Sequence, residues 1–425
     1  MNRNTFLGTL GVSLLLTLMC IVHQPEASSI DSNRSNVSSG DIANQTITQN
    51  PTHMSQLANA SNRFGFNLFA QINSRSNQEN IIISPSSIAI ALTMAGNGTE
   101  GKTKEELIEV LELAELDSMA IDNSYQKLIE TLKTADPDVK LAIANSLWVN
   151  KNITLKEQFV NNAKKFYQAQ VSSLDFADFQ TKNQINSWVA KNTANKIPEI
   201  VDSVSPQDAL YLINAIYFKG IWSSKFDKDA TIDRPFYTDS NSSYPQPMMK
   251  QTGKYRYHQS DRFQAVRLPY GEKEELGMYI FLPREDSNLA EFNQELNSTN
   301  WQEWISQMRS QQGNITIPRF KLEYETDLVQ SLSELGIERV FDFAKADFSA
   351  MTDTPVAVNK VKHKTFIEVN EEGTEAAAVT SIGIRITSAK PQDPPFNMNV
   401  NRPFFFAIRD DITETILFMG NIVEP

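Results

Sequence analysis

Few side chains in this 425-residue chain stand at the spacings that covalent or metal chemistry requires. No Gly-x-Ser-x-Gly segment occurs, so the strained turn that presents a hydrolase serine is missing. Residues 55–425 hold two histidines, His258 and His363, and neither lies in a motif suited to a general base. Histidine clusters and paired-carboxylate helical motifs for metal binding are absent from the sequence, so no metal site is expected. Gly96-Asn97-Gly98-Thr99-Glu100-Gly101 fits G-x-G-x-x-G, but a dinucleotide site needs a strand ahead of its glycines. Here Ile88, Leu92 and Ala95 fall on one helical face instead, so the glycines read as the end of one helix and the approach to another. The sole cysteine, Cys20, allows no disulfide within the chain. The expectation is a protein that is not an enzyme and carries no cofactor.

What remains is physical rather than catalytic chemistry. Asn214 interrupts the apolar run from Leu210 to Phe218, and a buried amide is costly unless it is hydrogen-bonded. From Thr374 onward, alternate residues are Thr374, Ala376, Ala378, Thr380, Ile382, Ile384 and Ile386. The interleaved set is Glu375, Ala377, Val379, Ser381, Gly383, Arg385 and Thr387. This is a period of two, with one face small and then aliphatic and the other mostly polar or small. Gly373 stands at its base, prolines 391, 394 and 395 follow, and three alanines provide no anchor. A segment able to form a strand, but weakly held as one, is a candidate conformational switch.

The run Glu371, Glu372, Gly373, Thr374, Glu375, Ala376, Ala377, Ala378, Val379 and Thr380 resembles the reactive-centre-loop hinge of serpins. Met398-Asn399-Val400-Asn401-Arg402-Pro403-Phe404-Phe405-Phe406-Ala407-Ile408 is similar to the family signature. Asn80 to Ile88, Leu212 to Trp222 and Phe348-Ser349-Ala350-Met351 agree with the family in order and spacing. The resemblance covers about residues 55 to 425. It implies a serpin fold, three β-sheets surrounded by helices with an exposed loop. It also implies suicide-substrate inhibition of a serine endopeptidase, with the cut loop inserting into the main sheet and trapping a covalent acyl complex.

Residue by residue, the resemblance implies a polar cluster under that sheet (the shutter) of Ser84, Ser87, Asn214 and His363. Gly220 and Trp222 match the breach, where the loop first enters. The usual hinge spacing sets the reactive bond at Thr387-Ser388, with Arg385-Ile386 as the alternative. A small residue at 387 suits elastase- or subtilisin-like proteases, and Arg385 would suit trypsin-like ones. Two rival readings are a non-inhibitory carrier or chaperone and an inhibitor of papain-like cysteine proteases. The small hinge residues Thr374, Ala376 and Ala378 argue against the carrier.

Positioning these groups takes a folded body of α+β class. Residues 1–29, with an apolar run from Phe6 to Val22 and Ala27-Ser28-Ser29 after it, have the form of a secretory signal peptide. That predicts a secreted, periplasmic or extracellular location. Lipid attachment at Cys20 is disfavoured by the preceding Met19. Residues 30–54 are rich in Ser, Asn, Thr and Gln and read as a flexible polar tail. Residues 55–425 then form the serpin domain, expected to be a monomer.

A net charge of −12 disfavours nucleic acid and anionic membranes. Lys164-Lys165 lacks the extended basic stripe that a heparin site would need. Ser84-Pro85 should open a helix. Thr103 with Glu106 should form a capping box. Leu328, Leu332 and Leu335 should make a helical stripe closed by Gly336. Leu210 to Phe218 and Leu276 to Leu282 read as buried strands, and Phe404 to Arg409 with Thr415 to Ile422 as a hairpin.

Overall fold

The computed structural model describes residues 53–76, 79–238, 242–374 and 394–425. Its helices are α1 (His53–Asn73), α2 (Pro85–Gly96), α3 (Gly101–Val110), α4 (Ser118–Lys133), α5 (Glu157–Tyr167), α6 (Thr181–Asn192), α7 (Leu289–Glu295), α8 (Ser298–Gln307) and α9 (Val329–Glu334). The first strands are β1 (Ile81–Ile83), β2 (Val139–Asn150), β3 (Gln170–Leu174), β4 (Leu210–Ile221) and β5 (Ile232–Tyr237). Next come β6 (Ser243–Gln259), β7 (Phe263–Tyr270), β8 (Leu276–Pro283), β9 (Arg309–Pro318) and β10 (Phe320–Asp327). The last are β11 (Val358–Asn370), β12 (Gly373–Thr374), β13 (Phe396–Asn399), β14 (Phe404–Asp410) and β15 (Ile416–Ile422).

One sheet has six strands in the order β10-β11-β12-β4-β2-β3. Here β4 pairs antiparallel with β2 from Val139↔Gly220 to Val149↔Leu210. On its other side β4 pairs parallel with β11 from Val358↔Leu210 to Phe366↔Tyr217, which we call the seam. Above Tyr217 the two strands part, and β12 lies between them. The second sheet follows β1-β15-β14-β8-β7-β6-β9-β13, with β5 on β6. The 17-residue β6 carries the chain between its two parts, pairing with β7 through Arg256–Gln259 and with β9 from Met248 to Tyr257. The three sheets of the expected fold are therefore the six-stranded sheet and two segments joined through β6.

Both faces of the six-stranded sheet are covered, which explains why β4 reads as a continuous apolar run. Helix α2 is predominantly apolar and every one of its residues is buried. It packs against β4, β2 and β15. The other face meets a second core in which Ile185 and Val189 of α6, and Ile197, Ile200 and Val201 after it, cover Trp148, Tyr211 and Ile213. Pro85 opens α2 after Ser84, and Gly96 closes it as expected.

The capping box at Thr103 does not form, because α3 begins two residues earlier, with Glu100 at its N-cap. The Thr103 hydroxyl accepts from Asp347 N–H at 3.0 Å. Glu106 accepts from the backbone of Glu338 and Arg339 at 3.0 and 2.8 Å. Tertiary partners thus took both side chains from the local motif. Helix α1 begins at His53, two residues inside the stretch read as tail, because Leu57, Phe64 and Leu68 give it a buried face.

Candidate functional site

The site is the seam and what stands at its upper end. The chain runs up β11, turns at Glu371-Glu372 and comes back as β12. Gly373 pairs with Asn370 on one side and Ile221 on the other, and Thr374 with Val369 and Gly220. Two residues of a strand thus already occupy the gap.

Sequence and geometry agree on why glycine stands twice here. Gly373 has φ +146°, and a Cβ on it would lie 2.1 Å from the Gly220 carbonyl oxygen. A Cβ on Gly220 would come within 2.9 Å of the Tyr270 and Phe218 rings. Thr374 is fully buried, and its hydroxyl lies 2.7 Å from the Tyr270 phenol. Burial raises the Tyr270 phenol above its usual pKa, so it stays protonated. The Trp222 ring stacks on Tyr270 at 4.3 Å and 12°, and its Nε1–H donates to the Asn370 carbonyl at 2.9 Å.

Two buried carboxylates hold the turn. Glu371 meets Arg319 and accepts from the Thr231 hydroxyl at 2.7 Å. Burial opposes its charge, but the Arg319 and Thr231 hydrogen bonds outweigh burial and hold its pKa below the ordinary value. Glu372 accepts from Lys228 at 2.6 Å and Lys225 at 3.2 Å. The Lys228 hydrogen bond, ahead of Lys225, lowers its pKa. Backbone N–H groups of Phe226 and Trp222 bond to the Glu371 and Glu372 carbonyls at 2.8 and 2.9 Å.

Halfway down the seam lies a sealed neutral network. Ser84 N–H donates to His363 Nε2 at 3.2 Å, which leaves the ring proton on Nδ1. That proton is donated to Asn214 Oδ1 at 2.6 Å. The Asn214 amide then donates to the Ser87 carbonyl at 3.1 Å and to Ser87 Oγ and Asn145 Oδ1 at 2.5 Å. His363 is fully buried, and burial pushes its pKa down to about 3, against the raising effect of Asn214. The imidazole is neutral and ties β11 to β4 across the seam.

The expected cluster of Ser84, Ser87, Asn214 and His363 is therefore brought together, with one change of detail. Ser84 contributes its backbone N–H, while its hydroxyl makes no hydrogen bond among the described residues. Gly220 and Trp222 do meet the hinge. Glu371, Glu372, Gly373 and Thr374 lie where they can be described. Glu375, Ala376, Ala377, Ala378, Val379 and Thr380, the bonds at Thr387-Ser388 and Arg385-Ile386, and residues 1–52 with Cys20 lie outside the described residues. Asn145 was missed, although it interrupts an apolar strand just as Asn214 does. Tyr270 and Arg319 carried no sequence signal, since their roles depend on long-range packing. Lys164 and Lys165 are exposed in the last turn of α5. Among the described residues no group of histidine, cysteine or carboxylate side chains could hold a metal ion.

With this geometry in view, comparison with known proteins is direct. A serpin-like protein of Methanosarcina mazei is 33% identical over 392 residues, covering 90% of this chain and 91% of that one. The leukocyte elastase inhibitor of Equus caballus is 35% identical over 385 residues, covering 88% of this chain and the whole of that one. The solved structure of human thyroxine-binding globulin is 27% identical, covers 88% of this chain and 99% of its own, and superposes with a TM-score of 0.81. The family described as "Serpin (serine protease inhibitor)" matches residues 59–425, and the chain belongs to the serpin family.

Proposed function

We propose that this protein is a suicide-substrate inhibitor of serine endopeptidases. The single observation that carries the reading is β12: Gly373 and Thr374 already pair with both β4 and β11 at the top of the seam. Counting on from Thr374↔Gly220 and Thr374↔Val369, six further residues would bring Thr380 opposite Asn214 and His363. A strand growing downward would thus reach the Asn214–His363 bond with a threonine hydroxyl. The even-numbered face would meet the core, in keeping with Ala376, Ala378 and the isoleucines of that face.

In the chemistry proposed, the protease serine oxygen attacks the Thr387 carbonyl. An ester to Thr387 forms, and the Ser388 amine leaves with a proton. Insertion of the freed loop before water attacks the ester traps the complex. The energy comes from completing the ladders and burying Ile382, Ile384 and Ile386, about 1.5–3 kcal/mol each if fully buried. The likeness to the leukocyte elastase inhibitor and the small residue at 387 favour elastase- or subtilisin-like targets. Cleavage at Arg385-Ile386 would aim it at trypsin-like enzymes. The leader-like residues 1–29 agree with action outside the cell.

The likeness to thyroxine-binding globulin favours a second reading, a carrier without inhibition. Loop cleavage separates the two by inhibition rather than by stability alone. Incubation with an elastase-like enzyme should give an SDS-stable complex and release a peptide starting at Ser388. Complete cleavage with free, active protease and no complex would leave the carrier reading.

A further inference from the structure

The row of the six-stranded sheet next to Thr374 carries an unbalanced charge. Thr374 stands between Gly220 of β4 and Val369 of β11. One step down, Lys219 of β4 pairs directly with Lys140 of β2. Across the gap, Glu368 of β11 pairs with Lys321 of β10. Paired residues share a face, and successive residues alternate between faces. Thr374 is buried against Tyr270, so the row of Lys219 faces outward. Lys140 and Lys321 are exposed there, and Lys219 and Glu368 are half-buried. Like charges directly opposite one another destabilise an antiparallel pair. Among the described residues, Lys140, Lys219 and Glu368 have no ion pair. The Lys321 ammonium lies 5.6 Å from the centroid of the Phe366 ring.

The gap at this row is already open. The uppermost seam pair is Phe366 with Tyr217, so Lys219 and Phe218 have parted from Glu368 and Ile367. Two residues beyond Thr374 would therefore fit before any seam pair breaks. The first of them is Glu375, whose carboxylate would point outward between Lys219 and Glu368. Strands lie about 4.8 Å apart, so lysine side chains one and two strands away reach that place. Glu368 repels a carboxylate there, but Lys140, Lys219 and Lys321 stand in the same row and attract it. We propose that Lys140 and Lys219 form a receiver for the Glu375 carboxylate, a positioning pair that draws the entering strand one step past Thr374 and fixes its register before the seam parts. The receiver selects by chemical class: it takes an acidic side chain at the first outward position of the strand. Its part in trapping a protease rests on the function proposed above, while its effect on strand entry is read separately.

Charge reversal tests the receiver. Lys219→Glu, Glu375→Lys and the two combined are compared with Lys164→Glu, the same change of charge on α5. The loop of each is cut by a thermolysin-type metalloprotease, which forms no acyl ester, and insertion is followed by tryptophan fluorescence. Each single reversal should slow insertion about fivefold, and the combination should recover most of that loss. Lys164→Glu should match the wild type, and the slowing should shrink in high salt. Recovery separates attraction from a merely structural fault, because two independent faults would add. Unchanged insertion in Lys219→Glu, or a loss that the combination does not recover, overturns the receiver. Should Lys219→Glu not fold, Lys140→Gln and Glu375→Gln carry the test: each should slow insertion, and the two together should slow it no further than Glu375→Gln alone. Additive slowing would overturn the receiver. The SDS-stable complex reads the function itself. If the reversed pair restores insertion but no serine protease is held by the wild type, the inhibitory reading fails and the receiver stands. If complexes form and reversal changes no rate, the receiver fails and the inhibitory reading stands.

Discussion

The top and the middle of the seam are held by opposite kinds of chemistry. At the top, Glu371 and Glu372 face Arg319, Lys225 and Lys228, whose side chains are 46%, 31% and 57% exposed. Charges with one partner at the surface can exchange that partner for water at modest cost. In the middle, Asn214 and His363 are sealed and neutral, and each bond lost there leaves a buried group unpaired. Under the proposed insertion, the top would admit a strand and the middle would resist one. In that proposal an opening that starts at Thr374 and runs downward would meet its main barrier at Asn214.

The sharpest way to break this contrast is Thr374→Arg. The Tyr270 phenol is 2.7 Å from Thr374 and has no charge to offer, so an unpaired guanidinium could not remain there. We expect the variant to be cut and released as substrate, with loss of the SDS-stable complex on a gel. Full retention of the complex would sink hinge insertion as the mechanism.

Next in size is Asn214→Ala. It leaves His363 Nδ1–H without its acceptor and should lower stability by about 1–3 kcal/mol in denaturant titration. A loss well below that range would mean that the middle is no firmer than the top.

Acid sharpens the comparison further. The unfolded His363 imidazole titrates near 6.5 and the folded one near 3, so the unfolded chain binds the extra proton between them. Stability should be full above pH 6.5 and fall as pH drops toward 3. Glu371 and Glu372 have pKa values below 4.5 in the fold, so their contribution is present above 4.5 and is lost only below it. Urea midpoints from pH 7 to 5 should therefore fall in the wild type, and His363→Gln should flatten that part of the slope. An equal slope in the variant would assign the acid response elsewhere.

The smallest effect belongs to Glu371→Gln. An amide keeps an acceptor for the Thr231 hydroxyl, and Arg319 is half-exposed, so the cost should stay below about 1 kcal/mol and shrink in salt. A loss as large as that of Asn214→Ala would erase the distinction between the two levels.

Much of this was legible because it depended on local pattern. The apolar run of β4, the β14–β15 hairpin and proline at the start of α2 are set by neighbours in sequence. Asn214 stood out because a polar group inside an apolar run demands a partner, whereas His363, between Lys362 and Lys364, was picked out only by the family resemblance. Thr103 misled for the opposite reason: a good local cap was outbid by Asp347, 244 residues away. Tyr270 and Arg319 gave no sign in sequence, since an ordinary tyrosine becomes a socket only when β7 and β4 meet. Asn359 and Lys364 likewise look like the solvated face of a strand until segment 193–209 is laid across them.

One feature of the six-stranded sheet acquires a thermodynamic meaning. Along the seam, β4 and β11 run in the same direction, a pairing slightly weaker per residue than the alternative. A chain that leaves the upper end of β11 by a tight turn has to travel back against both strands. Each step it takes replaces one same-direction contact with two opposed ones. Under the proposed insertion, chain polarity alone thus makes the sheet, as it stands, the less complete of the two arrangements.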